Sequence, residues 1–408
     1  MARPKVALAA YVPGSANKTG AAPLVGTRGS LIQLINMRAN SIKTKATVAA
    51  VVVFIWKQQQ KLTALDAAAE DQFGFGVSIY DNTAIIGTPY DVSGSAYIFT
   101  RSGTNWTQQA KLIASDGVES DNFGDSVSIY DNTAIVGATG DVSGSAYVFT
   151  RSGTNWTQQA KLIASDGVET DNFGISVSIY GDSAIIGANA EESARGAAYV
   201  FTTTGVAWTE QAKLVASDRV SGDNFGKSVS IYDNTAIVGA PDASGGAYIF
   251  TRSGSTWTQQ QKLASPVNDV ILFGDSVSIY GDTAIVGATY DDNDAGSQAG
   301  AAYVFTGSGS TWTQQAKLIA SDAGENHYFG QSVSIYGDTA IVGASGESAY
   351  IFTRSGTTWT QQQKLTASDA GGDYFGNSVS IYGNSAIVGA YGDDGLTGSA
   401  YVFNYTSQ

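Results

Sequence analysis

The chain has 408 residues, 43% of them hydrophobic, with 48 glycines, 6 prolines, no cysteine and a single histidine. The absence of thiols excludes disulfides, cysteine-held zinc and thiol catalysis, and one histidine leaves almost no scope for histidine metal sites or acid–base pairs. The formal charge is −14, and so acidic a body repels a phosphate backbone, which excludes nucleic acid as a partner.

The charge is uneven along the chain. Residues 1–57 carry eight of the 22 basic residues and none of the 36 acidic ones. Residues 1–48 therefore read as a basic N-terminal extension: a targeting segment, a disordered tail or a misassigned start. The longest apolar run, Val48–Trp56, has nine residues, about half of the ~20 that a membrane-spanning helix needs, so no transmembrane segment is predicted. Residues 49–408 are expected to form one domain, because internal repetition overrides the multi-domain prior that length alone sets.

The repeat opens with Trp56–Leu62, the first of seven segments that resemble Trp-Thr-Gln-Gln-x-Lys-Leu and start at Trp56, Trp106, Trp156, Trp208, Trp257, Trp312 and Trp359. Phe-Gly recurs in step, at Phe73, Phe123, Phe173, Phe225, Phe273, Phe329 and Phe375. The unit Phe123–Ile163 parses into four strands. In the first, Ser126–Tyr130, Val127 and Ile129 alternate with serines. Next come Thr133–Ala138 and Ser145–Phe149, continuous apolar runs of the kind buried on both faces. The fourth, Trp156–Leu162, alternates and is half exposed. A two-residue link of Asp-Asn, Gly-Asp or Gly-Asn joins the first and second strands of every copy, and these residues tolerate the positive φ of a tight hairpin.

The gradient across the strands predicts the architecture. Small serines suit strands crowded round an axis, double-sided apolar strands suit sheets packed between two others, and a half-polar strand suits the outside. The chain starts on a lone fourth strand and ends, at Phe375–Phe403, on three strands alone. The prediction is an all-β, seven-bladed β-propeller with four antiparallel strands per blade, closed by Trp56–Leu62 pairing with Ala400–Phe403. Closure leaves few open edges.

Phe225-Gly-Lys-Ser-Val, Ala236-Ile-Val-Gly-Ala-Pro241 and Gly246-Ala-Tyr-Ile-Phe250 resemble the FG-GAP repeat of integrin α-subunit propellers and of many bacterial and protist surface proteins. The resemblance covers about 55–408. It implies a propeller used for adhesion at the cell surface or outside the cell. Integrin-like blades often hold calcium in an acidic loop between the first and second strands. Here that position is a two-residue turn, as at Asp131-Asn132, too short to supply the six to eight oxygens of a calcium shell.

Links from fourth to first strand and from second to third emerge on one face, the top, and hold three quarters of the acidic residues. The candidate binding residues lie there: Asp116, Glu119, Asp121, Asp166, Glu169, Asp171, Glu191, Glu192, Asp393 and Asp394. Asp291, Asp292, Asn293 and Asp294 in the longest second-to-third link are the candidate metal ligands, with Ca2+ the one cofactor considered. Against both readings, acidic loops are also simply solvated. His327 reads as an exposed loop residue, and the seven tryptophans read as packing residues rather than sugar-stacking ones. A non-catalytic scaffold binding a protein or glycan through the acidic top is the expected function, and a monomer the expected state. A structural unit of a surface assembly and a glycan hydrolase or lyase are the alternatives.

Overall fold

The computed structural model describes residues 54–407 apart from 206, 243–244, 266–271, 346 and 370, so the basic extension 1–48 lies outside the described residues. Seven four-stranded antiparallel sheets follow one another along the chain. Blade 1 holds Val77–Tyr80, Thr83–Thr88, Ser95–Ser102 and Asn105–Leu112. Blades 2 to 6 repeat this order, with first strands that start at Phe123, Phe173, Ser228, Phe273 and Ser332. Blade 7 takes Val379–Tyr382, Ser385–Ala390 and Ser399–Ser407 from one end of the fold, and Phe54–Leu62 from the other. The predicted closure is present: Leu62 lies opposite Ala400, Gln58 opposite Phe403 and Phe54 opposite Ser407.

The link residue predicted to tolerate positive φ does adopt it. Asp81, Asp131 and Asp233, with Gly181, Gly281, Gly337 and Gly383, sit at φ between 52° and 61°. Each middle strand is buried on both faces, so the core is not one mass. Seven apolar clusters form instead, one in each gap between neighbouring blades, including the gap between blades 7 and 1.

The two repeated glycines explain how closely the blades approach. The glycine of each Phe-Gly pair has φ of 93° to 110°. A Cβ there would collide with a backbone carbonyl at the start of the preceding blade's third strand, as Gly174 would with Ser145. The second-strand glycine faces it: a Cβ on Gly137 would collide with the carbonyl of Gly174 in the next blade. Only glycine fits two backbones so close together. The phenylalanines beside them are fully buried.

The first-strand serines do more than avoid crowding. An innermost strand is a sheet edge with unpaired N–H groups. Ser78 Oγ accepts the N–H of Ile129 in the next blade, and the same bond recurs from blade to blade at 3.1–3.2 Å until Ser380 accepts from Ile79 and the ring closes. Each blade thus satisfies its neighbour's edge.

The fourth strand carries a feature that the residue pattern did not signal. In every blade a β-bulge interrupts its pairing with the third strand, at Gln59, Gln109, Gln159, Gln211, Gln260, Gln315 and Gln362. A bulge re-aims a side chain. Four of these glutamines accept the indole N–H of the next blade's tryptophan, for example Trp106 to Gln59 at 3.0 Å. Arg101, Arg151, Arg252 and Arg354 lie over the same indoles at 5.3–5.5 Å. Trp106 is 2% exposed. This environment is that of a packing residue.

Candidate functional site at the channel mouth

On the top face, the acidic loops are tied into the fold blade by blade. The fourth-strand lysine of each blade reaches up between loops. Lys111 binds Asp66 and Asp91, Lys161 binds Asp116 and Asp141, and Lys213 binds Asp166 and Glu191. Lys61 binds Asp369 and Asp393, and all these ion pairs are 2.6–2.7 Å long. Beneath each of these lysines lies a third-strand tyrosine, 5.3–5.7 Å from the ammonium. The lysine hydrogen bond holds the carboxyls of Asp66, Asp116, Asp166 and Asp369 below the usual aspartate range.

A second aspartate in the same loops is buried. Asp71, Asp121, Asp171, Asp223 and Asp373 each accept a backbone N–H of their own loop at 2.6–2.9 Å. In blade 6 His327 occupies the equivalent position. It is partly buried rather than exposed, with its ring edge-on to Tyr350 at 6.2 Å, and burial pushes its pKa down. The loop packs back on its neighbour and takes the imidazole with it.

The remaining sequence candidates divide in the same way. Glu191 is buried between Lys213 and Arg219, and Glu192 pairs with Arg219 and Arg195. Asp393 is buried against Lys61 and Tyr401, whereas Asp394 is exposed. Glu119 and Glu169 stay exposed, one blade apart. Asp291 is fully buried, with one oxygen on Lys317 and the other on the Tyr303 hydroxyl. Asp292 accepts from Ser297 and the Gln298 N–H, Asn293 accepts the Ala295 N–H, and Asp294 faces solvent. A cation would have to displace Lys317 to reach Asp291. Among the described residues, no three acidic, histidine or cysteine side chains gather as a metal would need.

The repeat changes its chemistry at the mouth of the central channel. The residue after each Phe-Gly stands at the top of a first strand: Phe75, Asp125, Ile175, Lys227, Asp275, Gln331 and Asn377. Two residues further on, valine occupies all seven blades. Burial raises the Asp125 carboxyl to about 6, against a hydrogen bond from Thr139 and the charge of Lys227. Asp275 is raised by burial too, with Thr289 donating at 2.8 Å and Lys227 again opposing.

On the side of blades 7 and 1 the mouth is aromatic. Tyr374 stacks on Tyr391 at 4.8 Å and 6° between planes, Tyr391 meets Phe75 at 5.6 Å, and Phe75 meets Tyr90 edge-on at 6.2 Å. Tyr374 and Tyr90 are each 50% exposed. The Asn377 amide donates to the Phe75 carbonyl at 3.3 Å. On the side of blades 3 and 4 the mouth is polar, with Asn172, Asn189, Asn224 and Asp242 joined in a hydrogen-bonded row. The sequence signal for this site was the variation at one repeat position, not any residue type.

At the other end of the channel the first strands finish in tyrosines. Tyr80, Tyr130, Tyr180, Tyr232, Tyr280, Tyr336 and Tyr382 form a closed ring, each centroid 4.5–4.8 Å from the next.

Solved structures with the same shape share almost no sequence. The WD40 repeats of RRP9 superpose with a TM-score of 0.56 at 8% identity, over 85% of this chain and 97% of that one. U3-55K gives 0.56 at 8% identity over 84% and 97%. No curated protein sequence matches the chain. The FG-GAP repeat matches seven times, over residues 56–99, 106–149, 156–201, 208–250, 257–305, 312–357 and 359–403. Each match runs from one outer strand through three strands of the next blade, and the chain belongs to the FG-GAP repeat family.

Proposed function

We propose that the protein is a non-catalytic recognition scaffold, and that its ligand, a protein or a glycan, binds at the top of the channel. One observation carries this reading: in a chain of near-identical repeats, side-chain chemistry diverges at the mouth, where two tyrosines stand half exposed beside partly exposed amides. Aromatic side chains with a few polar groups among them are the usual lining of a ligand site. Membership of a family typical of extracellular proteins supports placement outside the cell or at its surface. Among the described residues no helix is long and apolar enough to cross a membrane.

The acidic rim contributes a field rather than a pocket, because its carboxylates are shared out among seven separate blades. The test is capture on arrays of glycans and of purified ectodomains by three proteins: the wild type, Phe75→Ala/Tyr374→Ala and Glu119→Gln/Glu169→Gln. Loss of captured ligands by the mouth variant alone, at unchanged melting temperature, is the expected result. Ligands lost by the rim variant and kept by the mouth variant would overturn it.

A further inference from the structure

The aromatic arc narrows the class of ligand. We infer that Tyr374, Tyr391, Phe75 and Tyr90 form a stacking platform for a neutral oligosaccharide. This rests on the mouth being the binding site.

Three properties of the arc point to a sugar. The first is its shape. Four rings follow one another across the junction of blades 7 and 1: Tyr374 lies face to face on Tyr391 at 4.8 Å, Tyr391 is tilted against Phe75 at 5.6 Å, and Phe75 meets Tyr90 edge-on at 6.2 Å. The rings at the two ends, Tyr374 and Tyr90, are half exposed while Tyr391 and Phe75 are partly covered, so separate ring faces rather than a broad apolar patch meet solvent. A protein interface needs roughly 800 Å² from each partner. Separate exposed rings suit a narrow ligand that stacks one unit at a time. The C–H face of a pyranose carries partial positive charge and sits on the negative face of a tyrosine ring, as cations do more strongly.

The second is the polar border. The one hydrogen bond from Asn377 uses a donor of its amide, which leaves its carbonyl oxygen and second N–H for a ligand. Gly76, next to Phe75, lies against the Asp125 backbone of the neighbouring blade. Sugar hydroxyls donate and accept together, and an amide beside an aromatic ring answers both needs.

The third is charge. The top holds three quarters of the acidic residues, and of the seven first-strand mouth positions only Lys227 is cationic. Its charge is felt by both Asp125 and Asp275. Sialylated or sulfated glycans would be repelled, and a neutral chain would not.

The experiment is a glycan array containing neutral, sialylated and sulfated oligosaccharides, followed by calorimetry on the best neutral ligand. The wild type should retain neutral glycans. Tyr374→Ala should weaken the best of them at least tenfold, whereas Tyr374→Phe and Glu119→Gln should stay within about twofold. Tyr374 is on a loop and half exposed, and Tyr374→Trp guards against a folding artefact because the larger ring should hold or improve affinity. Saturation-transfer NMR should mark C–H protons of one sugar face. Retention of anionic glycans only, or neutral binding untouched by Tyr374→Ala, overturns the inference. If no glycan binds but the Phe75→Ala/Tyr374→Ala protein loses an ectodomain ligand, the sugar assignment falls and the mouth remains the site.

Discussion

Asp125 sits in an environment that opposes its charge. Its carboxyl is buried and titrates near 6, above the ordinary aspartate value of about 3.9. A raised pKa means that the native state favours the protonated form. The stabilising effect is complete below about pH 4 and is lost as the pH rises through 6. Asp125→Asn should therefore raise stability at pH 8 by about 1–3 kcal/mol and change it little at pH 4, which urea titrations at both pH values would reveal. Trp106 tests the packing role. It is buried, bonded to Gln59 and covered by Arg101, so Trp106→Ala should cost about 3–5 kcal/mol in the same assay. A fully stable Trp106→Ala protein would show the indole to be dispensable.

The elements of each blade are joined by its lysine. Lys161 connects the loop carrying Asp116, the loop carrying Asp141 and the Tyr147 ring. Depressed carboxyls contribute stability above their ordinary pKa and lose it as the pH falls through the depressed one. Lys161→Met should accordingly lower the melting temperature at pH 7, and the gap from wild type should close as the pH falls below the ordinary aspartate range and the carboxyls of Asp116 and Asp141 are protonated. A gap of constant size across that range would show that the lysine acts through its alkyl stem alone. These clamps were not legible in the sequence, since Asp116 and Lys161 are 45 residues apart and an acidic loop reads the same whether solvated or paired. The strands were legible because alternation and double-sided burial are local patterns repeated in every blade. The bulge at Gln109 and its counterparts escaped notice, because an extra residue in a strand leaves composition unchanged.

At the scale of the whole molecule, Phe54–Leu62 completes blade 7 and covers the edge of Ser399–Ser407. A chain beginning at residue 66 should expose that edge and aggregate, or melt far below a chain beginning at residue 49, which keeps the strand. Equal melting temperatures would refute the closure. The ring was legible from the way the repeat is split between the chain's two ends. The mouth was not, because its chemistry depends on which seven residues the ring brings together from positions far apart in sequence, such as Phe75 and Asn377. The shared register has a mechanical consequence too. Phe54 and Ser407 are the first rung of the closing ladder, so tension applied through the two ends meets hydrogen bonds one after another rather than all in parallel. The ring yields to a pull by unzipping along a single seam, and its other six blades need not bear the load until that seam has opened.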